Sequence, residues 1–170
     1  QVHTVDTNWR PALSRIARAG GRGLVVEVGT GRGNSVARLA TLLPEARIVS
    51  LTISPEQHDI VQAIVKKMGL ANVEIRRADL FDPAATADLV GRADAVGAIE
   101  VVLHFPTPRK LEGMRMMTRL LQPGAPLCIV DTAIASPIGA LAERYYANQH
   151  IYFSQREHYF TLFAQADLAA

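Results

Sequence analysis

The sequence predicts an α/β fold, a Rossmann-like, doubly wound and mainly parallel sheet with helices on both faces. Short β-rich runs alternate with longer stretches of helical periodicity along residues 23–131, and this alternation is typical of repeated βαβ units. A glycine-rich turn, GTGRG, follows the first of these runs. The chain has 170 residues, of which 49% are hydrophobic, and that length suits one hydrophobic core. We therefore expect a single domain over residues 1–170.

Each element of this pattern has its own sequence signal. The predicted strands are GLVVEV at 23–28, ARIVSLT at 46–52, VEIRRA at 73–78, ADAVGAI at 93–99 and PLCIVD at 126–131. Helices are predicted over about 8–19, 34–43, 54–69 and 107–121, with a short helix after Asp82 and Pro83. The helix at 54 opens with serine, proline and glutamine, the order of an N-cap and a capping box. Continuous apolar character in the first, fourth and fifth strands predicts burial on both faces.

Composition limits the classes of function. The formal net charge is +2, and the basic residues are scattered rather than gathered in the stripe that nucleic-acid binding favours. We expect no nucleic-acid partner. Cys128 is the sole cysteine, so no internal disulfide can form, and this suits the reducing cytoplasm. No apolar run reaches 18 residues and no signal-peptide pattern opens the chain, which predicts neither membrane insertion nor export unless processing has removed a segment.

The turn VVEVGTGRGNS joins a predicted buried strand to a helix. Ligands of doubly wound sheets bind at the carboxyl edge of the strands, and glycine lets a ligand lie against the backbone because no Cβ intervenes. A turn without a ligand is the alternative. A dinucleotide fingerprint would need glycine at Asn34 and an acid near Thr52, and the GKS or GKT of a Walker loop is absent. These departures weigh against nicotinamide cofactors and nucleoside triphosphates.

The pattern ExGxGxG at residues 27–33 resembles that of class I S-adenosylmethionine-dependent methyltransferases. RRADLF, IEVVLHFP and LLQPGAPLCIVD resemble further regions of that family. LTISPEQ at 51–57 resembles the branch that contains cyclopropane fatty-acid synthases and coclaurine-type N-methyltransferases. The resemblance covers roughly residues 23–131. It implies S-adenosylmethionine as cofactor and a small-molecule acceptor, of the natural-product or lipid-like kind.

Two alternatives stay open at this point. The first is a non-methylating S-adenosylmethionine-binding module, or a cyclase, on the same fold. The second is a nucleic-acid methyltransferase, which typically carries an Asn/Asp-Pro-Pro-Tyr motif after the fourth strand. This chain has His104, Phe105 and Pro106 there instead, so the second alternative ranks last.

The resemblance also implies a set of cofactor-binding residues. Glu27 would meet the ammonium of the cofactor, Thr52 and Gln57 would face the ribose, and Asp79 would meet the adenine amino group. The full set is Glu27, Gly29, Gly31, Thr52, Ile53, Gln57, Asp79 and Leu80. Each polar member has a structural alternative. Gln57 could serve as the capping-box partner of Ser54, Asp79 could bond its own turn, and a buried Glu27 needs some partner in any case.

Glu100 and His104 are the candidate catalytic residues, facing the acceptor. They match the "I-E-M-F-E-H" motif of the coclaurine-type enzymes, with Leu103 in place of the second glutamate. A neutral imidazole could take a proton from the acceptor near pH 7, whereas the alternative is a histidine that only packs at the end of the strand. His150 and His158 are eight residues apart with no third ligand at a recognisable spacing, so we predict no metal.

Residues 132–170 differ in character from the rest. Seven of the ten aromatic residues fall between Tyr145 and Phe163, and periodicity predicts two helices, the second opening with a capping box from Ser154 to Glu157. In the family such a segment would lie over the active-site mouth and help form the acceptor pocket, although this spacing is also typical of core.

The family's sheet normally has seven strands, and strands six and seven are missing from this prediction. PLCIVD therefore becomes a sheet edge with unpaired backbone groups. We expect a second copy, or the remaining part of a longer chain, to cover that edge.

Overall fold

The computed structural model describes the backbone of residues 2–166 and the side chains of residues 5–166. Five strands form its main sheet: β1 (Leu24–Val28), β2 (Arg47–Thr52), β3 (Val73–Arg77), β4 (Ala95–Ile99) and β5 (Leu127–Val130). All neighbouring strands are parallel, in the order β3-β2-β1-β4-β5. The strand order reverses between β1 and β4, the point at which doubly wound sheets bind ligands. The predicted α/β fold class is confirmed.

Seven α-helices accompany the strands within the described residues: α1 (Val2–Asn8), α2 (Arg10–Arg18), α3 (Asn34–Leu42), α4 (Pro55–Met68), α5 (Lys110–Leu120), α6 (Ala140–Ala147) and α7 (Arg156–Gln165). Three 3₁₀ turns span Pro83–Leu89, Val102–His104 and Thr107–Arg109. The helix predicted at 8–19 corresponds to α2, whereas α1, which was not predicted, precedes it and is separated from it by Trp9. The Trp9 side chain is fully buried, and it lies so close to Gly97 of β4 that a Cβ there would collide with the indole.

Alternate strand residues face two hydrophobic cores. Val25 and Ile48 pack in the core with residues of α1, α2, α3 and α4. Val26 and Val49 face the other side, where α5 and α7 cover the sheet. Helices therefore cover both faces, because side chains of a strand point alternately to either side. The prediction that β5 is buried on both faces is wrong: Cys128 is the one buried residue of its four, since β5 lies at an edge with β4 as its single neighbour.

Two short strands, β6 (Ala133–Ile134) and β7 (Ser154–Gln155), pair in parallel in a separate small sheet. The prediction of helices alone after Asp131 was therefore incomplete. In the described part of the chain no strand pairs with the free side of β5. The sequence also predicts that TLFAQADL, at 161–168, would lead into strand six; its last two residues, Asp167 and Leu168, lie outside the described residues.

The predicted capping box from Ser154 to Glu157 is wrong. Gln155 is the N-cap of α7 and no side chain caps that helix. The Ser154 hydroxyl instead accepts a hydrogen bond from Lys110 Nζ at 2.9 Å, a long-range contact that outweighs the local capping preference. None of the helices in the described residues has the length and apolar character needed to cross a membrane.

Candidate active site

The loop after β1 carries the glycine motif to the carboxyl edge of the sheet. The N–H groups of Gly29 and Thr30 both donate to the Leu51 carbonyl, at 2.9 and 3.1 Å, which ties the loop to the end of β2. Gly29 has φ +82°, and a Cβ on it would collide with Val101. Gly31 has φ +50°, and a Cβ on it would meet no atom within 4 Å. Packing against Val101 thus leaves no room for a larger residue at position 29, whereas Gly31 borders open space.

Glu27, at the penultimate position of β1, is 2% exposed. Its carboxylate accepts a hydrogen bond from the Ser50 hydroxyl at 2.6 Å, and the Ser35 hydroxyl bonds it as well. Ser35 also accepts from Trp9 Nε1 at 3.2 Å. Burial raises the pKa of Glu27 to about 7, and the two hydroxyls partly oppose that rise. The partner that a buried carboxylate needs is therefore supplied by serines of β2 and α3.

The end of β2 brings Thr52 and Gln57 together. The Thr52 hydroxyl donates to Gln57 Oε1 at 2.9 Å and accepts the Ser54 N–H at 3.1 Å. Ser54 caps α4 by accepting the Gln57 N–H at 3.2 Å. The capping box is thus only half formed, because the Gln57 side chain turns to Thr52 rather than back to Ser54. Beside this pair, Ile53 is 72% exposed and presents an apolar surface at the same edge.

Asp79 and Leu80 follow β3, next to the end of β2. The Ala78 N–H donates to the Thr52 carbonyl at 2.9 Å, which aligns the two strand ends. Asp79 is exposed, and its Oδ1 accepts the Phe81 N–H at 2.9 Å, so the carboxylate does bond its own turn. The Leu80 side chain is buried in the core that faces α5. The side chain of Asp79, and only the backbone of Leu80, therefore borders the open edge.

Glu100 and His104 lie after β4, beyond the glycine loop. Glu100 is exposed and has φ +55°, a left-handed conformation that costs a residue with a Cβ about 1–2 kcal/mol. Its N–H donates to the Val130 carbonyl at 2.7 Å. Such strain next to a strand end is typical of binding and catalytic sites.

The imidazole of His104 is exposed, and its Nδ1 lies 2.8 Å from the His150 carbonyl oxygen. A carbonyl oxygen only accepts, so Nδ1 carries the hydrogen and Nε2 of the neutral ring is a bare acceptor. The carboxylate that Leu103 lacks is thus replaced, as the orienting group, by a main-chain carbonyl from the aromatic segment.

A cavity of about 430 Å³ lies between α6 and residues 151–153. Most of its lining is aliphatic or aromatic, including Ile134, Ile138 and Tyr146, while Glu143 and Arg144 add one charge of each sign. It lies beside the segment whose Tyr152 N–H donates to the Leu103 carbonyl at 2.7 Å. A main-chain hydrogen bond therefore links the lining of the cavity to the turn that carries His104.

Sequence reasoning missed several members of this site. Thr30 is 3% exposed, and its hydroxyl has no hydrogen-bond partner within the described residues, an arrangement that suits a ligand at the loop. Ser50 was detectable, since it is a lone polar residue inside an otherwise apolar strand. Nothing in the local sequence marks the His150 carbonyl. Across the described chain, no group of three or more His, Cys, Asp and Glu side chains is placed to hold a metal.

These features fit the methionine and adenosine parts of S-adenosylmethionine. Thr30 offers an unpaired hydroxyl under the loop, and the space beside Gly31 is what a ligand lying on the backbone needs. The Thr52–Gln57 pair and the free oxygen of Asp79 offer polar groups along the next two strand ends. The donor and acceptor groups therefore suit a sugar and a base side by side.

Comparisons with known structures agree on the fold. The YcgJ protein of Bacillus subtilis superimposes with a TM-score of 0.71 at 16% identity, over 93% of this chain and 68% of that one. A second structure is that of geranyl diphosphate C-methyltransferase from Streptomyces coelicolor in complex with Mg²⁺, geranyl diphosphate and S-adenosyl-L-homocysteine. It superimposes with a TM-score of 0.72 at 18% identity, over 86% of this chain and 54% of that one. The [4+2]-cyclase SpnF superimposes with a TM-score of 0.73 at 19% identity, over 94% of this chain and 56% of that one. At these identities the likeness concerns the fold alone.

The sequence comparisons identify the family. An uncharacterized protein of Synechococcus sp. is 29% identical over 110 residues, which are 64% of this chain and 25% of that protein. The chain thus spans a quarter of this curated relative. The profile of the family described as "Methyltransferase domain" matches residues 25–124, which are more than half of the chain and run from the second residue of β1 to the turn before β5. The chain therefore belongs to the methyltransferase domain family, and the predicted cofactor, S-adenosylmethionine, is confirmed.

Proposed function

We propose that this chain transfers the methyl group of S-adenosylmethionine to a small organic molecule. The observation that carries the proposal is the common edge at which Gly31, Thr52, Asp79 and His104 all lie, with open space beside Gly31. S-adenosylmethionine supplies a methyl group on a sulfonium, which is displaced in line by the acceptor. The protein's part is to hold the two reactants in that line.

Residues at the ends of three strands would each contact a different part of the cofactor. Thr30 would bond the methionine part with its unpaired hydroxyl, while Glu27, held by two serines, would meet the ammonium of that part. The NH₂ group of Gln57 would bond the ribose, because its carbonyl oxygen is already taken by Thr52. Asp79 would accept from the adenine amino group, and Ile53 would cover the ring. Leu80 would act through its backbone, since its side chain is buried.

His104 would act as the base wherever the acceptor must lose a proton. The hydrogen bond from Nδ1 to the His150 carbonyl leaves Nε2 bare, and a bare ring nitrogen is what a general base needs. Glu100, exposed next to the glycine loop, would interact with a positively charged group of the acceptor. For an acceptor that is already nucleophilic, positioning alone would suffice.

The cavity beside α6 favours an acceptor with an apolar or aromatic body. A volume of about 430 Å³ lies in the range of small-molecule sites. Tyr146 and Phe153 meet there edge to face with 5.0 Å between ring centroids, and they offer stacking surfaces. An acceptor of the natural-product or lipid-like kind fits this lining better than a nucleic acid does.

We further propose a place in the branch of cyclopropane fatty-acid synthases and coclaurine-type N-methyltransferases. The support is local: Thr52 and Gln57 stand in place of the acid that general members carry, and they bond each other at 2.9 Å. An exchange of Thr52 for Asp would test this, because the branch assignment expects S-adenosylhomocysteine binding to weaken. Tighter binding would contradict it.

A cytoplasmic location, one domain over residues 1–170 and the absence of a nucleic-acid partner stay predictions of the sequence. We propose that the free side of β5 is covered by a second copy of the chain or by a further segment of the same polypeptide. Support comes from β5 itself, whose Ile129 and Val130 are only partly buried.

Incubation with methyl-labelled S-adenosylmethionine and small-molecule extracts, followed by mass spectrometry, tests the proposed function. We expect the label in one organic product, and the Gly31→Val protein serves as the negative control. Label that remains in the cofactor while another product accumulates would favour the cyclase alternative. Label in nucleic acid added to the same mixture, or in no product at all, would refute the proposal.

A further inference from the structure

A buried polar cluster lies behind the turn that carries His104. Lys110 opens α5, and its side chain is fully buried. Its Nζ donates to the Tyr152 carbonyl and, at 2.9 Å, to the Ser154 hydroxyl. The Tyr152 N–H in turn donates to the Leu103 carbonyl at 2.7 Å. One lysine of α5 thus holds residues 152–154 against the turn at the end of β4.

Two other ionisable groups face this lysine. Asp131, which follows β5, lies near enough for its charge to act on the ammonium, and the Tyr159 ring of α7 lies with its centroid 5.5 Å from Nζ. Asp131 itself accepts the Leu103 N–H at 2.8 Å. Burial lowers the pKa of Lys110 to about 8 against the opposing charge of Asp131, and burial raises the pKa of Asp131 and of the Tyr159 hydroxyl.

Stability alone does not account for a lysine at this position. Taking an ammonium out of water is costly, and an apolar side chain of similar volume is often neutral or stabilising in its place. The lysine nevertheless makes specific bonds to the aromatic segment that an apolar residue could not make. Those bonds favour a role in where the segment lies rather than in how stable the fold is.

The segment that Lys110 holds is the one that orients His104. His150, two residues before Tyr152, has φ +55°, and its carbonyl accepts the Nδ1–H of His104. The peptide that carries this carbonyl is held on one side by the Ile151 N–H, which donates to the Tyr146 carbonyl at 3.0 Å, and on the other side by the bonds of Tyr152. The place of the carbonyl therefore depends in part on where Tyr152 is held. Without the lysine, a strained left-handed residue would have less to keep it in position.

We propose that Lys110 is a positioning residue, which holds residues 152–154 so that the His150 carbonyl meets His104 Nδ1 and leaves Nε2 bare for the acceptor. The catalytic half of this inference rests on the proposed function, which makes His104 a base. The structural half, the tautomer of His104, can be measured without an acceptor. Failure of one half can therefore be told from failure of the other.

The experiment compares the nitrogen-15 spectra of histidine rings in the wild type, Lys110→Met and Lys67→Met proteins. Lys67 is exposed on α4, so its exchange removes the same charge far from the cluster. His104 is assigned by the signal lost in a His104→Gln protein. We expect the Nδ1–H tautomer in the wild type and in Lys67→Met, and its loss in Lys110→Met in favour of Nε2–H, the form that an unconstrained histidine side chain prefers.

A second variant guards against failure to fold. Ser154→Ala removes one of the two bonds of Lys110, and we expect a mixture of tautomers. Persistence of the pure Nδ1–H tautomer in Ser154→Ala and in any folded Lys110→Met protein would overturn the proposal.

For activity, labelled methyl transfer to extracts should fall roughly 10²-fold in Lys110→Met, the loss expected when a catalytic group is misplaced by about 1 Å. Affinity for S-adenosylhomocysteine should stay as in the wild type, and an equal loss of cofactor affinity would contradict a positioning role.

Discussion

Exchange of Gly31 for valine separates a ligand-binding loop from a turn that merely connects β1 to α3. A Cβ on Gly31 meets no protein atom within 4 Å, so the new side chain would project into the space that we assign to the cofactor. We expect Gly31→Val to abolish binding of both S-adenosylmethionine and its demethylated product. The fold itself should survive, because no packed atom has to move.

The cost to stability follows from the backbone angle. Gly31 has φ +50°, and a residue with a Cβ costs about 1–2 kcal/mol in the left-handed region. For a domain of this size each kcal/mol lowers the melting temperature by about 2–4 °C, so we expect a decrease of about 2–8 °C. Loss of binding should exceed about 10²-fold, equivalent to about 2.7 kcal/mol.

The matched control is Gly91→Val. Gly91 has φ +67°, and a Cβ on it also meets no atom within 4 Å, but it precedes β4 at the opposite edge of the sheet. Titration calorimetry with S-adenosylhomocysteine should show wild-type affinity for Gly91→Val and none for Gly31→Val, at similar melting temperatures. Equal affinities in the two variants would mean that the loop is only a turn.

Three further predictions concern Glu27, His104 and β5. Burial raises the pKa of Glu27 from 4.5 to about 7, so the folded chain binds more protons than the unfolded chain between these pH values. The free energy of unfolding should therefore fall by up to about 3 kcal/mol as pH rises from 4.5 to 7. Urea unfolding checks this, and a Glu27→Gln protein with the same pH slope would disprove it. His104→Ala should lower turnover by roughly 10²-fold or more with little change in cofactor affinity; full turnover in a labelled-methyl assay would make His104 structural. Light scattering at micromolar concentration should find the chain associated through β5, whereas a monomeric, cooperatively folding chain would show that the edge needs no cover.

Much of the fold followed from the sequence because its signals are local. Periodicity and the glycine and proline punctuation predicted all five strands of the main sheet and α2, α3, α4 and α5 to within a few residues. The elements that departed from prediction are those that tertiary contacts rearranged. The start of α7 is one, because Ser154 accepts a hydrogen bond from Lys110 instead of capping the helix. The other is α1, which was not predicted and whose Val5 is buried in the core with residues of α2 and α3.

The sequence by itself also placed the glycine loop, Thr52, Asp79 and His104 at one edge, since the carboxyl ends of parallel strands meet there. Only the tertiary structure decided what these groups touch. Ser50 reaches Glu27 across 23 residues, and the His150 carbonyl reaches His104 across 46. Every residue has a main-chain carbonyl, so no sequence pattern marks the one that orients an imidazole. Lys110 is likewise buried only because α7 and residues 152–154 pack against it. These contacts join segments more than 40 residues apart in the sequence.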